Sequence, residues 1–141
     1  MDFFSALNVS ASGLSAERTR VDVAASNLAN AESTRGPDGK PYQRLDPVLT
    51  AQPFESALGE QGGVAPMGVK VTSLERDQTP GQRVFMPGHP DADPQGFVTL
   101  PNVNPIHEIV NLVSASRGYE ANATAIDTLK TMASRALEIA K

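Results

Sequence analysis

The 141-residue sequence contains no cysteine. Disulfides, thiolate metal sites and cysteine nucleophiles are therefore excluded, while the redox compartment stays open. It has no apolar run approaching the ~18 residues of a transmembrane helix, so direct membrane insertion is not expected. The N-terminal stretch MDFFSALNVSASG has no basic residue and carries Asp2, a poor match to a Sec-type signal peptide. By classical routes such a chain stays in the cytosol; a dedicated export machine that cleaves nothing escapes this test. Net charge is −4, with none of the basic faces that nucleic acid requires. A G-x-S-x-G elbow is missing, and Gly62-Gly63 leads into VAPMG, not into a helix that would cradle phosphate. The expectation is a non-enzyme without cofactor or metal.

What is present is unevenly distributed. All 11 prolines lie between Pro37 and Pro105, and nine of the 11 glycines lie between Gly36 and Gly96. Proline costs about 3 kcal/mol inside a helix and glycine about 1 kcal/mol. Helical ends and a broken middle follow. The expected fold is mainly α with a small β insert, the two long helices packing as an antiparallel, coiled-coil-like hairpin. Its parts are an N-terminal helix in 1–34, a Pro/Gly-rich insert in 35–104 and a C-terminal helix in 105–141, with room for one domain overall.

The C-terminal stretch carries a 3,4-spaced seam: Ile109, Leu112, Ser116, Tyr119, Ala123, Ile126, Lys130, Ala133, Leu137 and Ala140. This is the period of a helix lying along another helix. Asn104 is a good N-cap, Pro105 suits the first helical position and Glu108 sits on the favourable side of the dipole. A matching stripe runs through Phe4, Leu7, Ala11, Leu14, Arg18, Val21, Ala25 and Leu28, with Gly13 as its weak point. Ala, Ser, Thr and Asn make up 18 of the first 34 residues and charged residues only six. Small side chains on every face admit close neighbours on more than one side. This helix should end near Asn27–Asn30, since asparagine tolerates the left-handed conformation that terminates helices.

In the insert, the prolines of 42–54 suit edge strands. Residues 55–68 read as loop. GVKVTSLERD, 68–77, is the best strand, with Val69, Val71 and Ser73 on one face. QRVFM, 82–86, and FVTL, 97–100, are shorter candidates. The element should lean on the helices and project from the end where residues 30 and 105 meet.

Two clusters invite chemistry. His89, Asp91 and Asp93 in GHPDAD have metal-ligand types, yet flanking Pro90 and Pro94 also make a rigid polar turn whose aspartates bond to backbone amides. Arg117-Gly118-Tyr119-Glu120 puts a glycine in mid-helix, which permits a close crossing or a bend. Tyr119 on the seam predicts a buried ring. Apolar residues also lie off the seam, at Val110, Val113, Leu129, Met132, Ala136 and Ile139. So wide a face is either one broad core face or a surface for more than one neighbour. Contacts that do not return to the same patch propagate as a helical tube. A soluble hairpin adaptor or chaperone with one partner, and a metal-dependent enzyme built on GHPDAD, remain competing readings of the residues.

The order of short motifs carries a family resemblance. Asn27-Leu28-Ala29-Asn30-Ala31 followed by Ser33-Thr34-Arg35 resembles the NLAN motif of bacterial flagellar axial proteins. Tyr42-Gln43-Arg44, VFMPGHPDAD (84–93), Gly96-Phe97-Val98, Pro101-Asn102-Val103-Asn104 and SASRGYEAN (114–122) are similar to the flagellar basal-body rod proteins in particular. Gly118 departs from the family, which more often has alanine there. The resemblance implies a structural subunit of the proximal rod, part of the drive shaft and of the export channel wall. Implied partners are further copies, other rod proteins, the flagellar type III export apparatus and basal-body ring components. Export without a cleaved signal and a final place in the periplasmic rod are implied as well. The implied assembly interface comprises Phe4, Leu7, Leu14, Val21, Asn27, Leu28 and Asn30 on the first helix. On the second it comprises Ile109, Leu112, Val113, Tyr119, Asn122, Ile126, Leu129, Met132, Leu137 and Ile139.

Overall fold

The breaker-poor ends form two long helices in a computed structural model that describes residues 3–53 and 67–139. Helix α1 spans Phe3–Ala29 and α2 spans Pro105–Ile139. Between them lie β1 (Leu45–Pro53), β2 (Met67–Arg76), β3 (Arg83–Phe85) and β4 (Phe97–Thr99). The expected loop 55–68 falls outside the described residues except for Met67 and Gly68, which belong to β2. Seam position Ala140 and residue 141 also lie outside them.

Both facing helix ends are capped by asparagine. Asn104 Oδ1 accepts from the amides of Ile106 at 3.0 Å and His107 at 3.3 Å, as the sequence predicts. The end of α1 differs from expectation. No non-glycine residue among those described has positive φ. Asn30 instead donates its side-chain amide to the Ser26 carbonyl at 2.9 Å, while its own N–H reaches the same carbonyl at 3.1 Å. With that last-turn carbonyl satisfied, no left-handed residue is required.

The helices are antiparallel: Asn27 meets Glu108, and Gly118 and Gly13 lie against the side chains of Glu17 and Asn122. The contact face departs from the expected one. Glu108 and Ala115 are the buried residues of α2, with Asn111, Gly118, Asn122, Ala125 and Leu129 half-buried on the same stripe. That stripe lies one residue before the predicted seam. Ile109 is instead 49% exposed and Tyr119 37%, so the expected burial of the Tyr119 ring is not found. On α1 the buried residues are Ala16, Val23, Ala24 and Asn27. Phe4, Ala11, Arg18 and Ala25 of the expected stripe are exposed, and Leu7, Leu14, Val21 and Leu28 half-buried. The reason is steric and polar. An ideal Cβ on Gly13 or Gly118 would sit within 2.9 or 2.8 Å of the opposing side chain, so the polar side chains of Asn122 and Glu17 occupy the space over the two glycines.

Strands β1 and β2 pair antiparallel with an irregularity at Val48/Leu49, and β3 pairs with β4. The Leu45 N–H points to Asn27 Oδ1 and not to β2. Pro47 and Pro53 share its parity, so their missing N–H groups cost no ladder bond. At the irregularity Thr72 has no partner in the register, which turns Ser73 away from the half-buried face of Val69 and Val71. The hairpin does not simply project from the helix ends. Its far end returns to α1, where the Val69 N–H donates to Ser12 Oγ at 3.1 Å. Among the described residues the buried apolar ones, Ala16, Val23, Ala24, Val98 and Ala115, are few and small.

Candidate assembly surfaces

A buried polar node joins the helices to the insert. Asn27 and Glu108 are each 1% exposed. Asn27 Nδ2 donates to Glu108 Oε2 at 3.1 Å and to the Leu45 carbonyl at 2.9 Å. Its Oδ1 accepts from the Tyr42 hydroxyl and the Leu45 N–H, both at 2.9 Å. Arg44 Nε closes on Glu108 Oε1 at 2.7 Å, and its NH1 on Asp46 at 2.5 Å. The bond to Asp46, and then Glu108, raises the Arg44 pKa well above its ordinary value against the cost of partial burial; the guanidinium is permanently charged. Asn102 continues the chain of bonds, accepting from the Arg44 N–H at 2.8 Å and donating to the Asp77 carbonyl at 3.0 Å. Among the described residues no buried side-chain polar atom lacks a partner, the condition under which a buried network is tolerable.

The GHPDAD turn is a second stitch. Asp91 accepts from the Thr34 hydroxyl at 2.9 Å and pairs with Arg35 at 3.3 Å. Asp93 Oδ1 accepts from the amides of Gln95 and Phe97, both at 2.9 Å, and its Oδ2 pairs with Arg83. The Phe97 amide first, then Gln95 and Arg83, holds the Asp93 carboxyl below its usual range. His89 Nδ1 accepts from the Asp91 N–H at 3.1 Å. Each group serves a different internal partner, and the three do not converge on a common point. Phe85 and Phe97 meet edge-on at 5.3 Å across the β3–β4 pair.

These stitches use the motif residues. Asn27 and Asn30, expected at an interface with neighbours, bond within the chain. Asn122 covers Gly13 and donates to the Gly118 carbonyl at 2.9 Å. At Gly118 the Glu17 side chain occupies the place of a Cβ. The sequence reading missed the partnership of Thr34 and Arg35 with Asp91, since no local pattern links loops 57 residues apart.

The outer side of α2 is the reverse of its inner one. Ile106 is 71% exposed, Val110 59% and Val113 44%. The helix has 35 residues against 27 in α1, and its last turns outrun their partner. There Met132 is 62%, Leu137 71% and Ile139 86% exposed. Leu112, Ile126 and Leu129 are half-buried at the edges of the contact. No helix described here is long and apolar enough to cross a membrane.

Comparison with known proteins shows the family. Residues 7–37 match the family model described as flagella basal body rod protein, and 95–139 the model described as flagellar basal body rod FlgEFG protein C-terminal. The flagellar basal-body rod protein FlgC of Bacillus subtilis is 44% identical, over all of both chains. This chain belongs to the FlgC family of flagellar basal-body rod proteins. The FlgC of Borreliella burgdorferi is 40% identical and that of Salmonella typhimurium 41%, each over 99% of this chain and 98% of the relative. The rod subunit is thus a structural protein of the bacterial flagellum. It resides in the basal-body rod and assembles there with other rod components. The two family models cover α1 from Leu7 onward, and β4 with α2.

Proposed function

We propose that the rod subunit builds the wall of the drive shaft through its two helices, and that the insert faces outward toward neighbouring rod proteins and the surrounding rings. In this reading 1–34 and 105–141 form the inner core and 35–104 the outer layer. The subunit reaches its place through the flagellar type III export apparatus. No catalytic role is assigned. The observation that carries the proposal is the inverted α2: polar and small residues inward, Ile106, Val110, Val113, Met132, Leu137 and Ile139 outward. Apolar surface of this extent on a lone chain marks an interaction site. Phe4, 73% exposed at the start of α1, extends it, with Leu7, Leu14, Val21 and Leu28 beside it.

Torque transmission then rests on many dispersion contacts of about 0.1–0.2 kcal/mol each, summed along interleaved helices. The test is a double substitution, Val110→Asp with Val113→Asp, both on the exposed side. Cells carrying it should secrete the protein, lose motility and yield basal bodies without it. Normal incorporation into purified basal bodies would overturn the proposal.

A further inference from the structure

Helix α2 carries two competing faces, and apolar burial alone favours the one not used. Rotation by one residue, about 100°, would bring Ile109, Leu112, Tyr119 and Ile126 against α1. With Ser116, Ala123 and Lys130 of the same seam they would replace Glu108, Asn111, Ala115, Gly118, Asn122, Ala125 and Leu129. The incoming set is larger and more apolar, so area burial would favour it. The two glycines permit the observed crossing, but permission is not a preference. The contacts that distinguish the faces are those of Glu108. It is 1% exposed, it spans the chain to Asn27 and Arg44, and rotation would take it from both.

We infer that Asn27, Arg44 and Glu108 form a register lock. It holds the small-residue face of α2 against α1 and so keeps Ile109 and Tyr119 exposed beside Ile106, Val110 and Val113, for other subunits. A buried polar group that finds its partners in only one alignment is the best-attested means of fixing helix register. The lock works here against hydrophobic burial within the single chain. A rod subunit that turned Ile109 and Tyr119 inward would offer a neighbour less apolar surface. This last consequence rests on the reading of α2's outer face given above; the register itself does not.

The experiment uses the full-length isolated chain, which has no native cysteine, two tyrosines and no tryptophan. Paired substitutions Gly13→Cys with Asn122→Cys report the observed register, and Gly13→Cys with Ala123→Cys the rotated one. With the node intact the 13–122 pair should oxidise at least tenfold faster than 13–123. Glu108→Leu should reverse that order. In a Tyr42→Phe background, where Tyr119 is the remaining tyrosine, the same change should shield Tyr119 from acrylamide quenching. Glu108→Gln keeps one acceptor oxygen but turns an NH2 donor toward the other partner, so its 13–122 preference should fall between those of the unsubstituted node and Glu108→Leu. Two results would overturn the inference. One is Glu108→Leu with the 13–122 preference unchanged. The other is loss of both crosslinks together with helical circular dichroism, which would make the node a plain stabiliser that chooses nothing. Neither readout depends on rod assembly, so failure here is distinct from failure of charged substitutions on the outer face.

Discussion

The Glu108 carboxylate accepts a hydrogen bond from Asn27 Nδ2 at 3.1 Å, across 81 residues of sequence and with both side chains buried. Asn27 is the hub of this contact, since it also holds Leu45 and Tyr42. Asn27→Ala leaves several buried groups without partners, each costing about 1–3 kcal/mol. A loss of ~3 kcal/mol or more in urea unfolding is expected. Tyr42→Phe removes one hydroxyl from the same hub and should cost about 1 kcal/mol. Equal effects of the two would show that Asn27 is not central.

Two glycines should behave oppositely. A Cβ at Gly81 would lie 1.8 Å from the Leu100 carbonyl oxygen, and backbone cannot step aside cheaply. Gly81→Ala is therefore expected to cost several kcal/mol, within the range of severe overpacking. At Gly118 the Cβ would meet the end of the Glu17 side chain at 2.8 Å, which can swing away. There the ~1 kcal/mol helix preference of alanine should leave Gly118→Ala neutral or slightly stabilising. Denaturation midpoints of the two variants decide the matter.

One pair of substitutions separates folding from assembly. Ala115 is fully buried against α1, whereas Val113, two positions away, is 44% exposed. Ala115→Asp should unfold the subunit or lower its melting temperature by many degrees, because an unpaired charge is buried. Val113→Asp should change the isolated chain by no more than ~0.5 kcal/mol and still impair incorporation into the rod. Matching circular dichroism melts for the two would contradict the inner and outer assignment of α2.

Acid should loosen the insert before the helices. The Phe97 and Gln95 amides and Arg83 lower the Asp93 pKa, and the Thr79 hydroxyl and amide lower that of Asp77. A lowered folded-state pKa stabilises above the unfolded value and loses that contribution as pH falls through the folded one. The ordinary value is 3.8, so the turns at 77–79 and 93–97 keep their full contribution at neutral pH and lose it below about pH 4. Amide exchange at Gln95 and Phe97 should rise relative to that of α2 on acidification. In Asp93→Asn that pH dependence should disappear.

Cutting the second stitch should act locally. Asp91→Ala removes the bonds to Thr34 and Arg35, and Arg35 is 70% exposed. The cost to global stability should stay near 1 kcal/mol, while protease sensitivity of 83–99 rises. Global unfolding as severe as that of Asn27→Ala would show that the turn is part of the core.

Periodicity and breakers are local properties, and they reveal the helices, the antiparallel hairpin and the proline-bearing edge strand. Asn104 and Pro105 mark the α2 start because capping depends on neighbours two and three positions away. The path of β1–β2 back to Ser12 is not legible in this way, and neither is the bond from Thr34 to Asp91. They join loops and elements that no periodic pattern links.

The face of α2 shows the division most clearly. Its 3,4 spacing shows by sequence alone that the helix has a stripe to bury, with a second apolar flank beside it. Which stripe meets α1 is decided by tertiary structure. The Asn122 and Glu17 side chains fit over Gly13 and Gly118, and Glu108 finds its hydrogen-bond partners in one alignment. Hydrophobic burial is nondirectional and scales with area, so it cannot by itself distinguish two neighbouring stripes. Hydrogen bonds to a buried carboxylate are directional, and they make that choice.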